Sequence, residues 1–165
     1  MRHGTSIWVL ALAIATLTPV SNSQALPSSS ISKNVTLVVD FGKQSGRPTR
    51  VLTVNDVAPT LTGWNLLSLA KLKVQGTQQY PLGFVCRIDG WPTAKQQDCS
   101  STPSFRSGHW AYYVTNFQLG GGWLLSGQGA GSHIPDCGGY EGWSWISGGQ
   151  PNTPPRFKVA IRACK

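Results

Sequence analysis

The chain has 165 residues, of which 40% are hydrophobic and only 12% charged, with 14 Lys and Arg against 6 Asp and Glu. That length supports one domain with a real core. The basic residues are scattered, no two of them adjacent, which excludes the clustered stripe of a nucleic-acid-binding face and leaves a diffuse positive field suited to loose contact with anionic surfaces.

The first 25 residues, "MRHGTSIWVLALAIATLTPVSNSQA", place Arg2 ahead of an apolar run from Ile7 to about Leu17 and end in Ser23-Gln24-Ala25. This pattern predicts a secretory signal over 1–25, cleaved after Ala25. An uncleaved anchor is the alternative, but the run falls short of the roughly 20 residues a bilayer span needs. Losing this leader, which carries one arginine and no carboxylate, lowers the net charge from +8 to +7. The product is expected to be secreted, extracellular and without a membrane span. Residues 26–33, "LPSSSISK", read as a disordered lead-in, and 34–165 as a single domain.

From Asn34 the chain alternates. Val35, Leu37, Val39 and Phe41 share one face of a predicted strand, "GKQSGRPT" is a turn, and "RVLTVNDV" is a second strand completing a hairpin. "APTLTGWNLLSLAKLKV" predicts the one helix, with Thr60 or Thr62 as N-cap and Leu61, Trp64, Leu67 or Leu69, and Leu72 near helical spacing. Phe84, Cys86 and Ile88 form a strand edge before an Asp89-Gly90 turn. "HWAYYVTNF" is a strand with aromatics on both faces. "GGWLLSG" pairs with it through a turn around Gln118 to Gly122. A glycine-rich loop follows, then "WSWIS" with Trp143 and Trp145 on one face. "FKVAIRAC" is expected to close the domain as a strand presenting Phe157, Val159, Ile161 and Ala163. The order predicts an α+β fold with mostly antiparallel pairing.

Cys86, Cys99, Cys137 and Cys164 are an even set in a secreted chain and predict two disulfides. Three connectivities exist. Cys86–Cys99 closes a short local loop, which leaves Cys137–Cys164. The first bridge is worth about 3 kcal/mol in the chain-entropy model. No metal site is expected, because C-x-x-C pairs are absent and the histidines lack zinc-finger spacing.

The order strand, strand, helix, strand is that of a β-grasp fold, and residues 83–145 carry a closer resemblance. Val85-Cys86-Arg87-Ile88-Asp89-Gly90, then Trp110-Ala111-Tyr112-Tyr113-Val114, then Trp123 and Ser126 before a proline-bearing loop and Glu141-Gly142-Trp143, resemble the C-terminal domain of transcobalamin and its secreted bacterial relatives. The resemblance covers about residues 40–140. It implies a β-grasp-like, soluble-ligand-binding module stabilised by disulfides, of a kind that in some genomes accompanies cobalt or cobalamin uptake. Two departures stand out. No counterpart of transcobalamin's helical barrel is legible, and Asn116-Phe117 stands where the family has Asn-Gly.

Tyr113 and Trp145 complete a conspicuous aromatic set with Trp110, Tyr112, Trp123 and Trp143. Only one face of a sheet can meet the helix, so either a second layer covers the other face or some rings are free for a ligand. The ligand-binding candidates are Trp110, Tyr112, Trp123, His133 and Trp143, with the Gly127–Asp136 loop. The expected function is non-catalytic binding of a small molecule, which the resemblance implies is corrinoid- or cobalt-related. The alternative is a cell-wall, glycan or protein-interaction module at the cell surface. No cofactor and no nucleic-acid partner are expected. Ser132, His133 and Asp136 could form a triad only if neighbours in one loop met its geometry, which they rarely do. A bonded His–carboxylate pair in a cleft would instead point to a hydrolase.

Overall fold

The computed structural model describes Met1, residues 33–115 and residues 121–164. The expected leader and lead-in therefore lie almost wholly outside the described residues, as does most of the Gln118–Gly122 turn. Strands β1 (Lys33–Asp40), β2 (Arg50–Val57), β5 (His109–Thr115), β6 (Trp123–Leu125) and β7 (Tyr140–Ile146) form a sheet in the order β2-β1-β7-β5-β6. Strands β3 (Val74–Gly76) and β4 (Val85–Ile88) pair in a small second sheet. All pairings are antiparallel except β1 with β7. Helix α1 (Gly63–Leu69) is the one α-helix among the described residues. The architecture is α+β, mostly sheet.

The helix-facing layer follows the sequence period. Val35, Leu37 and Val39 of β1, Trp110 and Tyr112 of β5, and Trp143 of β7 join Trp64, Leu66 and Leu67 of α1 in one buried cluster. Each fully buried leucine contributes about 2 kcal/mol. Thr62 is the N-cap. Its hydroxyl accepts from Asn65 N–H, and Asn65 Oδ1 accepts from Thr62 N–H, closing a capping box. The helix is shorter than its apolar pattern predicted. Lys71, at φ 57°, turns the chain into the left-handed region and ends it. Leu72 nevertheless stays buried, because Leu72 N–H bonds back to Leu67 C=O at 3.1 Å. The Asp89-Gly90 turn forms as expected. Both residues have positive φ, and reciprocal bonds join Ile88 and Trp91 at 3.0 Å.

The opposite face is covered by the C-terminal segment, and here the expected final strand does not form. Residues 151–164 contain no helix or strand, and Ile161 is exposed. Pro151, Pro154 and Pro155 cannot donate to a ladder, which keeps only the start of the segment from pairing. The segment is a strap held by side chains instead. Arg156 grips Asp40, Trp123 Nε1–H donates to Phe157 C=O at 2.9 Å, and Arg162 Nε–H donates to the Tyr140 hydroxyl at 2.9 Å. Gly142 makes room for it, since a Cβ there would lie 2.6 Å from the Trp123 ring and 2.9 Å from Pro155. Cys137–Cys164 ties the strap's end to the loop before β7, and Cys86–Cys99 ties the 91–100 loop to β4.

Candidate functional site

The five candidate ligand residues do not converge on one surface. Trp110, Tyr112 and Trp143 lie inside the helix-facing core. Tyr112 and Trp143 stack at 4.7 Å between centroids. Trp123 sits on the other face, half-buried among Ala111, Tyr113 and Ile146, with its indole N–H taken by the strap. The aromatics on both faces of β5 are thus explained by two layers, α1 on one side and the strap on the other.

His133 meets Tyr112 at a third residue that the sequence pattern did not single out as functional, Glu141. The Glu141 carboxylate is only 2% exposed; Oε1 lies 3.2 Å from His133 Nε2, and Oε2 accepts from the Tyr112 hydroxyl. Burial pushes Glu141 above the usual carboxylate range, the His133 and Tyr112 hydrogen bonds opposing it. The hydrogen bond to Glu141 pushes His133 up, against burial. Burial, reinforced by the Glu141 charge, drives the Tyr112 phenol up as well. The cluster lies beneath the start of α1. Gly63 N–H donates to His133 C=O at 3.0 Å and Trp64 N–H to Ala130 C=O at 2.9 Å, so loop carbonyls satisfy N–H groups that a helix start leaves without partners.

This arrangement joins the loop to β5, β7 and the start of the helix. The Ser132 hydroxyl donates to Gly129 C=O at 3.1 Å rather than to His133. None of the clefts described next is lined by His133, Tyr112 or Glu141. Among the described residues no group of three or more His, Cys, Asp or Glu is placed to hold a metal ion.

The clefts lie at the far end of the sheet, where β1 runs into its turn and β7 into the strap. One, of about 460 Å³, runs between the 42–44 turn and residues 150–156. A second, of about 300 Å³, is bounded by Trp91, Pro92 and Gln96. Trp145, Gln44 and Ser147 line both, so the two clefts are halves of one groove. Trp145 is half-buried and braced edge-on by Trp91 and Trp110, at 6.4 and 5.6 Å between centroids. The Ser147 hydroxyl donates to Gln44 Oε1 at 2.9 Å, which leaves the Gln44 amide N–H groups unengaged among the described residues. Gln150 and Thr153, both exposed, also line the larger half.

Asp40 forms the groove's buried floor. Its carboxylate is 2% exposed and accepts from Arg156 Nε and Nη2 at 2.6–3.1 Å, from Arg156 backbone N–H at 2.8 Å and from Gly42 N–H at 2.9 Å. Burial alone would raise Asp40, but these bonds outweigh it and hold the carboxyl below its ordinary value. The groove residues escaped sequence reading because they come from three separate turns, and only Trp145 belonged to a visible pattern.

Compared with models of known protein families, with curated proteins and with solved structures, the chain matches none. Among the described residues no helix is long and apolar enough to cross a membrane.

Proposed function

We propose that this chain is a secreted, non-catalytic binding module that takes a saccharide of the cell surface or its surroundings in the groove across Trp145. The observation that carries the reading is the groove itself: a half-exposed indole, braced by two others, among amide and hydroxyl groups with open donors. Indole faces suit the apolar face of a sugar ring, and convergent polar groups fix its hydroxyls. The two disulfides and the leader pattern support an extracellular setting.

A β-grasp assignment of the transcobalamin C-terminal kind is supported by the strand order. The first hairpin is followed by the helix, and the last strand enters the centre parallel to the first. That resemblance supports a second ligand class, a corrinoid, bound near Trp123 and His133. Against it, Trp110, Tyr112 and Trp143 are occupied in the core, and the Trp123 and His133 nitrogens already have partners.

Equilibrium dialysis of the oxidised secreted product against an oligosaccharide panel and a corrinoid panel tests both. Saturable oligosaccharide binding that weakens on Gln44→Ala is the expected result. Corrinoid binding lost on Trp123→Ala would replace the saccharide reading. No binding of either class near 1 mM, weaker than about −4 kcal/mol, would overturn small-ligand binding altogether.

A further inference from the structure

The groove has a charged end. Lys43 and Arg156 both line its larger half, facing a single carboxylate, Asp40. Asp40 is fully engaged by Arg156 and backbone N–H groups. Arg156 is 42% exposed, and its Nη1 takes no part in the Asp40 bonds. Lys43 is exposed and has no ion-pair partner among the described residues. Two cations against one buried anion leave one positive charge uncompensated in the same cleft that Trp145 lines.

Resting on the saccharide reading above, we propose that the groove recognises an acidic sugar, whose ring lies on Trp145 and whose carboxylate meets Lys43 and the free edge of Arg156. The match is in charge as well as position. One uncompensated cation suits a monoanion such as a uronic-acid carboxylate better than a phosphate ester, which carries nearly two charges. A guanidinium edge presents paired N–H donors to a planar carboxylate. Asp40 serves as a positioning residue, fixing the Arg156 plane from below. Gln44 and Gln150 supply donors and acceptors for ring hydroxyls between the two ends.

The test titrates the oxidised secreted product with a uronic-acid oligosaccharide and with its carboxyl-reduced, neutral counterpart of equal length. The acidic form should bind about tenfold more tightly at low ionic strength, as a charge-assisted hydrogen bond provides. That advantage should shrink as salt passes about 0.15 M. Lys43→Gln should remove most of the advantage. Lys71→Gln, which makes the same change of net charge on an exposed residue outside the groove, should keep it. Both positions are exposed, so folding is not at stake. Equal affinity for the two oligosaccharides, or equal effects of the two lysine variants, would overturn the acidic-sugar proposal while leaving the saccharide reading standing. Failure of both oligosaccharides to bind would overturn both.

Discussion

Glu141 shows how one buried side chain sets a pH dependence. Both Glu141 and His133 have folded pKa values above their ordinary values of 4.5 and 6.5. The folded pair therefore holds protons that the unfolded chain has released, and stability falls as pH rises from about 4.5 through the raised His133 value. Urea midpoints measured between about pH 5 and pH 9 should show this decline, and Glu141→Gln should flatten it. Asp40 works in the opposite sense. Held below its ordinary 3.8, it contributes stability above that pH, and the contribution is lost as pH falls through the folded value. Acid unfolding of Asp40→Asn should therefore lose the steep limb below about pH 4. Gly63 is the third sensitive residue. A Cβ there would run into the Tyr112 hydroxyl and lie 3.0 Å from Glu141 Oε2. Gly63→Ala is expected to cost about 1–3 kcal/mol by overpacking, read from denaturant unfolding.

At the scale of elements, the strap replaces a strand. It meets Asp40 on β1 and Tyr140 and Gly142 on β7, yet forms no ladder of its own. Its attachment is therefore a few discrete groups, Arg156 on Asp40, Arg162 on Tyr140 and the Cys137–Cys164 bridge across 27 positions. Closing a loop of that size is worth about 3.5 kcal/mol in the chain-entropy model. The double substitution Cys137→Ser with Cys164→Ser should lower stability by about that amount and loosen the strap over Trp123, seen as a red shift of tryptophan emission. If the loss is full but the emission is unchanged, the side-chain bonds of Arg156, Trp123 and Arg162 keep the strap seated without the bridge.

At the scale of the whole molecule, the buried side chains cluster on the two faces of the sheet, and the proposed saccharide groove lies at the end where turns and strap meet. A ligand that binds the folded chain and not the unfolded one adds its binding free energy to stability. An oligosaccharide at ten times its Kd should add about 1.4 kcal/mol to unfolding. Thermal denaturation checks this, and Gln44→Ala should reduce the gain at the same ligand concentration.

Local periodicity was sufficient for the first hairpin, the helix with its cap narrowed to Thr60 or Thr62, the Asp89-Gly90 turn and the aromatic strands, because each depends on residues close in the chain. Cysteine spacing was likewise enough to pick Cys86–Cys99 and leave Cys137–Cys164. The parallel meeting of β1 and β7, the burial of Trp110, Tyr112 and Trp143, and the irregular course of "FKVAIRAC" depended on which surfaces tertiary packing left uncovered. Glu141 read as the end of the glycine-rich loop, and only the fold placed it in β7 and enclosed it between His133 and Tyr112. Gln44, Trp91, Trp145, Gln150 and Arg156 became one groove only where three turns converge, a proximity that no spacing along the chain encodes.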